Sequence, residues 1–194
     1  MALAANLEAR VGRALEWACR ALAYGGGLIL VAAALVTVAS IIGRFFLFAG
    51  LGPVRGDFEL VETSCAIAIF AFLPWCQLRR GHVTVDVLVN QMSKRAKAFF
   101  GLLGDVAISV VSSLILWRLY LGFAEKFPYG SDVFRDVFRM GARPYYPETT
   151  YELELPVWIP YGLATIGAAL FFIVSLYTVW RALNWLLSGQ EPAL

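Results

Sequence analysis

The chain has 194 residues, of which 60% are hydrophobic and only 15% charged, with a formal net charge of +2. A soluble domain this apolar would expose patches far larger than monomers tolerate, so the composition points to an integral membrane protein. So small and dispersed a charge argues against nucleic acid as a partner, and three scattered cysteines, Cys19, Cys65 and Cys76, are too few for a disulfide or zinc framework.

Residues 1–20 read as an interfacial amphipathic helix. Leu3, Leu7, Val11, Leu15 and Ala18 share one face, and Glu8, Arg10, Arg13, Glu16 and Arg20 the other. A first span follows at about 21–43. Its 23 uncharged residues exceed a signal-peptide core of about 7–15, so it reads as a retained transmembrane helix. The second span, about 60–78, measures about 27 Å, enough to cross a bilayer with its flanks. The third, about 98–123, is interrupted by Asp105 and Arg118. The 12 uncharged residues between them are too few to span alone, so both charges belong near the two faces, Arg118 snorkelling outward along its stem. The fourth, about 157–180, is opened by Pro156 and Pro160, which suit a first helical turn. Trp75, Trp117, Trp158, Trp180 and Trp185 lie near span ends, as in an interfacial aromatic belt. The expected fold is one all-α integral membrane domain with four transmembrane helices plus N-terminal and interfacial amphipathic helices.

Basic residues set the orientation. The second loop carries Arg79, Arg80, Lys94, Arg95 and Lys97, and the N-terminal segment Arg10, Arg13 and Arg20. The first loop has only Arg44 and Arg55 beside Asp57, Glu59 and Glu62. The positive-inside rule then places both termini and the second loop in the cytoplasm. The third loop, about 124–156, is too long for a mere connector. Within it Ser131 reads as the N-cap and Gly141 as the C′ residue of a short helix, with Val133, Phe134, Val137 and Phe138 on its apolar side. That helix is expected on the outer membrane surface, or as a dock for an external partner.

Catalytic signals are scarce. The single histidine, His82, is too few for a bis-histidine haem, and zinc-ligand spacing, a CxxC pair, a nucleophile elbow and a phosphate-binding glycine loop are all missing. The chain is therefore expected to be no enzyme and to carry no cofactor. Ionisable residues inside spans are functional candidates. Glu62 follows Glu59 by three residues on one helical face; it reads either as an ion or proton site or as a rim carboxylate paired with Arg44 or Arg55. Asp105, about 10 Å along the third span, reads as pairing with a basic residue of a partner subunit or as facing the watery end of the bundle. Small residues at Gly101 and Gly104, Gly162 and Gly167, and Ala164 and Ala168 allow close helix approach. Asp86 lies one helical turn after His82 and can accept its hydrogen bond, fixing a surface-lying helix whose buried side is Val85, Leu88, Val89 and Met92.

The block from Arg44 to Asp86 resembles a known family. Its Glu-x-x-Glu start to span two (Glu59, Glu62) and its Arg-Arg-Gly-His-Val-x-Val-Asp sequence from Arg79, through Arg80, Gly81 and His82, to Asp86 are similar to the small membrane subunit of tripartite ATP-independent periplasmic (TRAP) transporters, the DctQ-like family. The resemblance implies a bacterial inner-membrane scaffold that braces a larger membrane subunit. That subunit would carry the substrate and sodium sites, while a periplasmic binding protein delivers organic acids and an ion gradient drives uptake. The long third loop departs from many family members. Two other classes remain in view: an autonomous ion or drug antiporter using Glu62, and a membrane anchor of a redox enzyme.

Overall fold

A computed structural model describes residues 5–81 and 93–188. Among them every regular element is a helix, and four helices are long and apolar enough to cross a membrane. They are α1 (Ala5–Phe45), α2 (Asp57–Leu78), α3 (Lys94–Lys126) and α5 (Trp158–Ser188), with a short α4 (Asp132–Val137) between the last two. The fold is the all-α membrane architecture expected from the composition.

The amphipathic segment and the first span are not two elements. They form the single 41-residue α1, about 60 Å long, against a hydrocarbon core of about 30 Å. No proline breaks it, and its first turns have neighbours to pack on. A Cβ at Gly12 would fall 2.5 Å from the Tyr177 hydroxyl, and Glu16 forms an ion pair with Arg79. These contacts stand the segment up against α2 and α5, where an isolated amphipathic helix would lie flat.

Proline does occur inside α2, at Pro74. Lacking an N–H, it leaves the carbonyl of Phe70, four residues back, without its helical donor. A Cβ at Gly167 would lie 2.5 Å from that same oxygen. Glycine there lets the α5 backbone close on the freed carbonyl.

The extensive contacts run in the order α1–α2–α5–α3, with α1 also touching α5 lightly. The result is a layer one helix thick, with α1 and α3 at its edges. The buried cluster sits where α1, α2 and α5 meet, at Cys19, Leu78 and Val174, flanked by Leu15, Trp75, Leu170 and Tyr177. Outward-facing positions such as Leu28, Val31 and Leu35 of α1 and Val110, Val111 and Leu114 of α3 are exposed, as lipid-facing side chains are. Ser131 does cap α4, accepting from the Phe134 N–H at 3.3 Å. The helix stops earlier than expected, however: the left-handed residue that closes it is Arg139 (φ +52), with Arg139 N–H bonded to the Asp136 carbonyl and Met140 N–H to that of Arg135, and Gly141 is a second left-handed residue (φ +71). Gly141, expected at C′, lies beyond that turn.

Candidate functional site

The charged residues gather at the two ends of the layer, and each end is a tie between distant segments. At the end where α2 begins, Asp57 accepts from Arg44 at 2.7 Å, from the buried Ser40 hydroxyl at 2.5 Å and from its neighbour Phe58 N–H at 2.9 Å. Glu59 and Glu152 then form a reciprocal clasp. The Glu59 carboxylate accepts from the N–H groups of Glu152 (2.8 Å) and Leu153 (3.1 Å), while the Glu152 carboxylate accepts from Gly56 N–H (2.6 Å). Acidic groups suit this place, because the first N–H groups of a helix have no intrahelical partner. Gly56 is left-handed (φ +68), and a Cβ on it would clash with the Leu153 side chain, so both conformation and space require glycine.

The long third loop is organised by one buried arginine. Arg135, only 2% exposed, donates to six backbone carbonyls, those of Ala124, Phe127, Tyr129, Met140, Gly141 and Ala142, at 2.7–3.3 Å. A guanidinium has five N–H donors in a rigid fork, and here all of that capacity goes to main chain. Tyr120 donates to the Phe138 carbonyl at 2.5 Å, and Lys126 pairs with Glu148. Phe127, Tyr129 and Trp158 pack edge-on against one another beside this knot.

At the opposite end the polar groups join all four long helices. Asp105 of α3 accepts from Arg80 (3.0 Å) and from Gln77 (3.2 Å), and Gln77 also reaches the Thr178 hydroxyl of α5 (2.8 Å). Ser112 and Ser175 continue the α3–α5 link at 2.9 Å. From α1, Glu16 accepts from Arg79 (2.7 Å) and Arg20 (2.8 Å), and Glu8 from Asn184 of α5 (2.5 Å). Arg79 and Arg20 also lie over the Trp75 ring, and Arg80 over that of Trp185. Arg80 reaches Asp105 because it occupies the left-handed C′ position (φ +51) that closes α2, with Gly81 N–H bonded to the Cys76 carbonyl. The expected break at Gly81 therefore falls one residue earlier.

Measured against the sequence reading, Arg44, Glu59, Arg79, Arg80, Gly81 and Asp105 all take defined structural places. Asp105 is satisfied by its own chain. Arg44 takes Asp57 as its carboxylate, so Glu62 is not its partner. Glu62 is exposed and makes no hydrogen bond or ion pair among the described residues; it lines a groove of about 500 Å³ with Thr63, Phe70, Leu119, Tyr161 and Ala164. His82, Asp86 and the surface helix expected around them lie outside the described residues. Gln77, Arg135 and Glu152 were not singled out from sequence. Gln77 carried a usable signal, a lone amide inside an apolar run. Arg135 and Glu152 sit among other loop charges and carried none.

These ties join helices and loops that lie far apart in the sequence. The sequence model described as "Tripartite ATP-independent periplasmic transporters, DctQ component" matches residues 33–184. The chain belongs to the DctQ family. It is thus the small membrane subunit of a TRAP transporter, a multi-pass membrane protein. The matched region opens within α1 and takes in the Asp57 and Glu59 ties, the Arg135 knot and the Asp105 network. It leaves Glu8 and Glu16, the α1 carboxylates of the far end, outside. No curated protein and no solved structure matches the chain.

Proposed function

We propose that this DctQ subunit is a non-catalytic scaffold that braces the large TRAP membrane subunit while that subunit's transport domain moves. The transport itself is ion-gradient-driven uptake of organic acids handed over by a periplasmic binding protein, with sodium and substrate bound on the larger subunit. The subunit sits in the bacterial inner membrane with both termini cytoplasmic, so the Glu59–Glu152 end faces the periplasm and the Asp105 end the cytoplasm. One observation carries this reading: Asp105, the buried carboxylate of the third span, is held by Arg80 and Gln77 of its own chain. A charge committed to a structural ion pair serves rigidity; a transport site needs its carboxylate free to exchange partners.

The test is isolation of the native complex in mild detergent. A multi-span partner of about twice this size or more is expected to accompany the chain, and the pair should transport only with the binding protein present. Repeated recovery of a lone, stable chain would count heavily against the scaffold. The free carboxylate of Glu62 keeps the antiporter as the competing reading. Uptake into liposomes by this chain alone, abolished in Glu62→Gln, would establish it.

A further inference from the structure

The Asp105 end of the layer holds a buried cation that forms no ion pair among the described residues. Arg181 of α5 is 4% exposed and donates one hydrogen bond, to the Leu78 carbonyl at 3.3 Å, while lying over the Tyr177 ring. One bond leaves most of a five-donor group unspent. No carboxylate pairs with it among the described residues, and the neighbouring ones are engaged elsewhere: Glu8 by Asn184, Glu16 by Arg20 and Arg79, Asp105 by Arg80 and Gln77. Burying a cation without a directly paired counter-charge is costly, so an anion from outside the chain would be favourable here.

The space for one is present. Arg181 lines a cavity of about 210 Å³ between α1, α2 and α5, together with Arg13, Arg79, Gly12, Glu16 and Tyr177. Three guanidinium groups face one carboxylate, and that carboxylate is already paired twice. The cavity also sits at a recognisable depth. Leu78 ends the apolar run of α2 and Arg79 follows it directly, while Trp17, Trp75 and Trp180 lie within four residues of Glu16, Arg79 and Arg181 respectively. Trp17 is 74% exposed. Tryptophans at one level mark the headgroup region of a bilayer, and basic pockets between helices on the cytoplasmic side suit phosphate headgroups.

The geometry points to an anion site in this cavity that takes the phosphate of an acidic phospholipid, with Arg181 at its floor and Arg13 and Arg79 at its mouth. Guanidinium groups match phosphate oxygens in pairs, and the lipid phosphate supplies the direct ion pair that Arg181 lacks among the described residues. Only the choice of leaflet depends on the orientation proposed above; the chemistry does not, nor does it require the large subunit.

The experiment uses the full chain, stripped of lipid in detergent and offered phosphatidylglycerol or phosphatidylcholine under native mass spectrometry. Phosphatidylglycerol should be retained and phosphatidylcholine not, and Arg181→Gln should weaken retention about 10-fold or more. Arg181 is also packed, so Arg13→Gln, an exposed position, provides a second reading: weaker retention of phosphatidylglycerol with an unchanged melting temperature. Millimolar inorganic phosphate separates the sources. Displacement of the lipid means that the site reads phosphate alone, and persistence means that the whole lipid is bound; either supports the site. Equal retention of the two lipids, or retention undiminished in folded Arg13→Gln, would overturn it.

Discussion

Arg135→Met removes the guanidinium around which the third loop is folded, and the size of its effect follows from the contacts. The substitution keeps the length of the side chain and strips six backbone carbonyls of their donor. A net hydrogen bond to a charged group is worth about 1.5–3 kcal/mol, and a buried acceptor left unpaired costs about 1–3 kcal/mol. Six such terms do not add, because the loop is superficial and can open to water before all are lost. Opening then caps the loss at about 3 kcal/mol, the free energy that local order of this kind contributes. Hydrogen exchange followed by mass spectrometry reads this directly. Peptides covering residues 127–142 should exchange about 100-fold faster, while peptides from the middle of α5 stay as they were. Arg135→Lys should recover only part of the protection, since an ammonium offers three donors and no planar fork. Unchanged exchange in Arg135→Met, or equal loosening throughout α5, would refute the view of Arg135 as a local organiser.

Gly56→Ala should destabilise the chain by about 2–4 kcal/mol through its left-handed backbone and its clash with Leu153. Adding Leu153→Ala should restore the packing share in detergent melting curves and leave about 1 kcal/mol of backbone strain. Asp105→Leu strands Arg80 and should cost about 2–3 kcal/mol, less than a fully buried pair because Arg80 is partly solvated. The double variant with Arg80→Leu should regain much of that loss in the same melting assay, and failure to regain any would show that the pair is not coupled. Gly167→Ala pushes α5 off the Phe70 carbonyl and should lower stability by about 1–3 kcal/mol, whereas Gly104→Ala, with open space around it, should leave the melting temperature unchanged. Glu59→Ala with Glu62→Ala should weaken recovery of the large subunit in pull-downs; altered substrate selectivity in a fully assembled complex would contradict a purely architectural role for both.

The four spans were legible because the bilayer imposes them through apolar length and flanking charge, a property each segment carries alone. Their neighbours were not. Small residues on α5 announced close approach without naming the helix that approaches, and Gly167 becomes meaningful only beside a carbonyl freed by Pro74. The Glu-x-x-Glu pair was visible, yet the partners of Glu59 are backbone N–H groups 93 and 94 residues away, which no side-chain pattern encodes. Asp105 was visible as a charge out of place, while its mate Arg80 read as one of the basic residues that orient the second loop; a left-handed turn at the end of α2 brings them together. Arg135 was the least legible of all. In a run that alternates aspartate, arginine and phenylalanine it passes for a solvated charge, because the carbonyls that surround it belong to main chain that any sequence would supply.

The spatial order α1–α2–α5–α3 also differs from the order in which the chain is made. Synthesis runs from the N-terminus, so α1 and α2 can pair as soon as both are in the bilayer. α3 follows them, but the helix it packs on, α5, is the last to be made. During that interval the attachment open to α3 is the one near its start, where Asp105 meets Gln77 of α2, already in place, and Arg80 just beyond it. The ion pair thus bridges a gap in time as well as in space.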